Sequence, residues 1–100
     1  MSEVKVLTKE IAELAKKALA TLKATEFPLE ILSELRDKYI QLLDMLPEEI
    51  KETAKIVALT PKGAIELDYY KILDILETAI ETQEVTTELV VALDILSGMG

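Results

Sequence analysis

The stretch EEIKETAKIVALTPKG at residues 48–63 decides the fold class. Pro47 stops the helix before it and suits the first turn of the next, where Glu48, Glu49 and Glu52 complement the positive end of the helix dipole. No turn residue interrupts Glu48 to Ala58, so the segment reads as a short helix over residues 47–59. Thr60-Pro61 then repeats the device, a Thr to cap and a Pro to begin. Gly63 is either a loop residue or a weakened first turn of a helix over residues 63–80. Read this way, the chain has no strand to pair. Val4-Lys5-Val6 is the one short alternating run, and a single strand makes no sheet. The expected fold is all-α.

Working outward, Leu7, Ile11, Leu14, Ala18 and Leu22 form a helical stripe widened by Ala15 and Leu19, which sets a first helix over residues 7–23. Pro28 holds Phe27 extended and opens a second helix over residues 28–46, with a seam of Leu32, Leu35, Tyr39, Leu42 and Leu46. The helix over 63–80 has its stripe at Ile65, Tyr69, Ile72, Leu76 and Ala79. Leu67, Leu73, Ile75 and Ile80 lie off that stripe, so it must be covered on more than one side. Thr86 is the N-cap of a last helix over residues 87–97, with Val85 and Val90 at the staple positions and Gly98 just past the end, where a complete terminus is expected. Five helices with short connections make one compact bundle, a single domain over residues 1–100. Leu-Asp/Glu-Ile/Met-Leu recurs at 29, 43, 73 and 93, too unevenly for a repeat array.

Composition narrows the function classes. The chain has no His, Cys or Trp, so the commonest catalytic base, the thiol nucleophile and the usual zinc ligands are missing together. Carboxylate pairs at helical spacing exist, Glu34 with Asp37, Glu81 with Glu84 and Glu84 with Glu88. Without Glu-x-x-His partners they read as solvated faces and not as a dimetal site. No catalytic residue, metal, cofactor or small-molecule substrate is expected, and the chain reads as a non-enzyme. Glu3, Glu10 and Glu13 stand where a signal peptide needs an uninterrupted apolar stretch, so none is expected, and no apolar run approaches membrane-spanning length. The expected location is cytoplasmic, with no membrane partner. The absence of Asn and the abundance of Ile, Leu, Lys and Glu resemble thermophile composition.

Charge is uneven. Residues 1–62 carry 10 Lys/Arg against 11 Asp/Glu, whereas residues 63–100 carry Lys71 alone against eight acids. That acidic part also holds the two helices richest in apolar residues, the pattern of a protein-docking surface. On the last helix Leu89, Ala92, Leu93 and Leu96 share one face, assigned to the core, and Val91 with Ile95 another, assigned to a partner. Tyr70, Val91, Ile95, Ile75 and Ile80 are the candidate interface residues. Tyr39 and Tyr69 are expected in the core.

Two resemblances bear on function. Leu59-Thr60-Pro61-Lys62-Gly63 resembles the segment that follows the wing of winged-helix transcription regulators and leads into their last helix. That alternative needs a hairpin before it, where Glu48 to Ala58 reads as helix, and a basic face, where this chain has one Arg and a net charge of -8. Residues 60–100, with Thr60-Pro61-Lys62-Gly63-Ala64, Glu84-Val85-Thr86, Leu89 to Leu96 and Ser97-Gly98-Met99-Gly100, resemble small helical accessory proteins encoded beside formate dehydrogenase or heterodisulfide-reductase-like subunits. The resemblance implies a non-catalytic partner of a larger assembly. The expected function is an interaction or oligomerisation module that binds itself or a larger protein and no nucleic acid.

Overall fold

The computed structural model describes residues 3–99. Helix α1 (Glu3–Lys23) buries Leu7, Ile11, Leu14, Ala15 and Ala18 along one side, the stripe its spacing sets out, and takes in Val4-Lys5-Val6 as its first turn. It ends with Glu26 N–H on Thr21 O and Thr25 N–H on Leu22 O, the Schellman pair of bonds. That places the β-branched Thr25 at φ 62, where glycine or asparagine is usual. Helix α2 (Leu29–Met45) buries Leu32, Leu35, Tyr39 and Leu42 and runs beside α1, with Lys38 Nζ 2.6 Å from Glu10. Leu46 is extended because Pro47 follows it.

The stretch at 48–63 differs from the all-α expectation. Helix α3 (Glu48–Thr53) stops after six residues, and strand β1 (Lys55–Thr60) then pairs antiparallel with β2 (Gly63–Asp68). The fold is therefore mostly α with a small two-stranded sheet, and the helices placed over 47–59 and 63–80 are both corrected. Pro61-Lys62 is a hairpin turn, closed by the pair Thr60 and Gly63, and does not begin a helix. The physical reasons lie in the side chains: Ile56, Val57 and Thr60 are β-branched and fit a pleated surface better than a helix turn. Thr60 Oγ1 donates to Gly63 O at 2.7 Å and accepts from Lys62 N–H, and Gly63 takes φ 116, open to a residue without Cβ.

Helix α4 (Tyr69–Thr82) starts only after β2, capped by Asp68, whose carboxylate accepts from Lys71 N–H at 2.7 Å. Helix α5 (Thr87–Ser97) begins at the expected Thr86 cap, which accepts from Leu89 N–H. Gly98 follows it at φ -91, outside the left-handed region, while Gly100 lies outside the described residues. Each of α1, α2, α4 and α5 packs against two of the others, so the four close a ring around a core of Leu, Ile, Ala and the Tyr39 ring. No described polar or charged residue is buried. The hairpin hangs on this ring through β2, which touches α3 and α4, and its one fully buried side chain is Leu67.

Candidate interaction surface

Pairing fixes which hairpin residues share a face. Ile56 with Leu67 and Ala58 with Ile65 lie on one side, Val57 with Glu66 and Leu59 with Ala64 on the other. Leu67 and Ile65 turn the first side toward the helices. The second side faces outward, and there Val57 is 61% and Leu59 88% exposed. Lys55 and Glu66 form an ion pair on it, 3.3 Å apart. Large exposed apolar side chains occur elsewhere too, Val6 and Met45 on a shallow depression of α1 and α2 shared with Glu3, Glu10 and Lys38, and Val85 and Val90 near the start of α5. Val57 and Leu59 stand apart from these because they adjoin each other on one sheet face and are the two most exposed of the large apolar side chains.

A cleft of about 160 Å³ opens at the base of the hairpin, between Ile56 and Leu67 on the strands and Tyr69, Ile95 and Met99 on the helical side. Its floor is held by Tyr39, whose hydroxyl donates to Tyr69 O at 2.8 Å. Burial in this apolar setting pushes the Tyr39 phenol well above its ordinary range, with Tyr69 and Asp68 adding to the rise. The cleft brings Ile95, a residue the sequence marks for an interface, onto the same part of the molecule as the hairpin.

The other sequence candidates fall elsewhere. Tyr70 is 43% exposed, yet its hydroxyl donates to Glu48 Oε1 at 2.5 Å and its ring lies 5.9 Å from Lys51 Nζ, so it braces α4 to α3. Lys51 also donates to Leu43 O at the end of α2 and pairs with Glu48 at 3.2 Å. The Tyr70 hydrogen bond and then Lys51 hold the Glu48 carboxyl below its usual range, and Glu48 in turn raises both Tyr70 and Lys51. Val91, Ile95 and Ile80 are half-buried and pack against the core. Ile75 is 6% exposed and belongs to the core itself, which leaves it nothing to offer a partner. Leu89, Ala92, Leu93 and Leu96 are buried as one face of α5, and Tyr39 is buried as expected.

Val57 and Leu59 are the residues the sequence reading passes over. Their signal was Ile65-Glu66-Leu67-Asp68, an apolar–polar alternation just after a Thr-Pro-Lys-Gly turn, which marks the second arm of a hairpin. Glu34, Asp37, Glu81, Glu84 and Glu88 are exposed. Among the described residues no cluster of three acids is placed to hold a metal ion, and no helix is long and apolar enough to cross a membrane. The chain matches no protein-family model, no curated protein and no solved structure.

Proposed function

We propose that the chain is a non-catalytic interaction or oligomerisation module that docks through the outward face of its hairpin. The observation that carries this reading is the pair Val57 and Leu59, apolar and open to water on a sheet face whose neighbours leave them uncovered. Leaving two such side chains in water forgoes about 1.5–3 kcal/mol each relative to full burial, which a docking partner recovers. The resemblance of residues 60–100 to accessory subunits points the same way, with a larger protein as the other class of partner.

A second reading is a winged-helix DNA-binding regulator, since the chain carries a hairpin beside a helix, although Leu59-Thr60-Pro61-Lys62-Gly63 forms the tip of that hairpin and does not follow it as the resemblance requires. Charge opposes it. The helix before the hairpin is six residues long and carries Glu48, Glu49 and Glu52 against Lys51, whereas phosphate binding draws on clustered Lys and Arg. Tight binding to duplex DNA in a low-salt gel shift would select this second reading.

The test of the first is the double variant Val57→Lys, Leu59→Lys. Both positions are exposed, so the denaturant midpoint should stay near that of the parent chain while association, read as solution mass by light scattering, is lost. Association that survives both lysines would place the interface elsewhere. A variant that unfolds would make this face part of the fold.

A further inference from the structure

We propose that the partner is a second copy of this chain, added through the free edge of β1 so that two hairpins form one four-stranded antiparallel sheet about a twofold axis. The proposal rests on the hairpin being the docking surface and names what docks there. Among the described residues strand β1 pairs only with β2, and no helix packs extensively against it. Bonded and non-bonded pairs alternate back from the turn-closing Thr60 and Gly63, so Lys55, Val57 and Leu59 turn their N–H and C=O groups to the free edge. Those groups meet no other backbone group among the described residues. Such an edge takes an extended strand as its partner, because only a strand supplies donors and acceptors at the matching repeat.

Three features select a copy of β1 itself. First, an antiparallel strand related to its own copy by a twofold axis is self-complementary, residue i facing j as j faces i. Second, residues 53–65 contain Lys55 and Lys62 but none of the chain's 19 acids, the longest stretch without one. Pairing β1 with its copy therefore brings no carboxylate of either strand against the other, in a chain whose net charge is -8. Third, the apolar side chains coincide in one register. A continuous sheet requires outward residues to face outward residues, which leaves registers that pair odd positions with odd. Setting Val57 opposite Leu59 of the copy gathers both residues and their equivalents into one apolar cluster. It also leaves Lys55 beyond the paired segment with its Glu66 partner, and puts Ala58 on the axis opposite its own copy. Five paired residues make a small contact, at the low end of interface sizes, so the dimer dissociates on dilution.

The chain has no cysteine, which makes the register directly readable. On the axis, Ala58 and its copy form a non-hydrogen-bonded pair with Cα atoms about 4.5 Å apart, inside the range a disulfide spans. Under mild oxidation, Ala58→Cys should yield covalent dimer at least about tenfold faster than Lys9→Cys, an exposed control on α1, because pairing raises the local thiol concentration. Adding Leu59→Lys should remove that advantage. Equal rates at 58 and 9, or a rate indifferent to Leu59→Lys, would overturn the self-pairing. A parent chain that stays monomeric by light scattering at every concentration would overturn the second copy while leaving the hairpin face open to another protein. If the parent associates and Val57→Lys combined with Leu59→Lys has no effect on its mass, the docking surface fails together with this proposal.

Discussion

At Gly63 the hairpin depends on a backbone conformation more than on any contact. Its φ of 116 is one that L side chains rarely adopt, while a Cβ built there meets nothing within 4 Å. Gly63→Ala should therefore cost stability through strain alone, about 1–3 kcal/mol, read as a lowered denaturant midpoint with no repacking of neighbours. Tyr39 illustrates the opposite case, a residue governed by its surroundings. Its phenol is raised by burial, so the folded chain holds a proton that the unfolded chain releases near the ordinary tyrosine range. That contribution is fully present below about pH 10 and is lost as pH climbs beyond it, at up to about 1.4 kcal/mol per pH unit. Tyr39→Phe should flatten the fall in stability above pH 10, although it also removes the bond to Tyr69 O. An unchanged alkaline slope in that variant would show that Tyr39 titrates freely. Spacing alone placed Tyr39 in the core. It could not show that the hydroxyl reaches Tyr69, thirty residues on, because no local pattern encodes that contact.

Among the elements, α1, α2 and α5 were the legible part. The caps at Thr86 and the buried face of α5 follow from residue type and spacing, and α5 occupies the span read from the sequence. The hairpin was illegible for a specific reason: β1 carries apolar residues on both faces, Ile56 and Ala58 inward, Val57 and Leu59 outward. Its period of two is therefore erased, and the acids of α3 before it complete the look of one helix. Only β2 keeps the alternation. The same geometry predicts unequal roles for the two strands. Leu67 is the fully buried anchor of the hairpin, and Leu67→Ala should cost about 2–5 kcal/mol, comparable to Leu93→Ala on α5. Val57→Lys should stay within about 0.5 kcal/mol of the parent. Denaturant midpoints for the three variants check the ranking, and a Val57→Lys as damaging as Leu67→Ala would contradict an outward-facing β1.

Taken whole, the molecule divides into a closed ring of four helices around the core and a hairpin whose outer face holds the two most exposed large apolar side chains, Val57 and Leu59. Two-stranded sheets are marginal by themselves, and a third or fourth strand is the usual remedy. Charge does not oppose such a strand coming from a second copy, since the net -8 is carried mostly by residues 63–100 and β1 lies within the acid-free residues 53–65. The sequence placed the interface on α4 and α5 because that part is richest in apolar residues. Most of that richness goes into the core, leaving Val85 and Val90 exposed there, and the two most exposed large apolar side chains lie on β1. Amide hydrogen exchange followed at low and high protein concentration tests this most directly. The account predicts that Val57 and Leu59, whose amides face the free edge, gain protection as concentration rises, while α1 and α5 amides are unchanged. Equal exchange at Val57 and Leu59 across a concentration range in which the solution mass grows would contradict it.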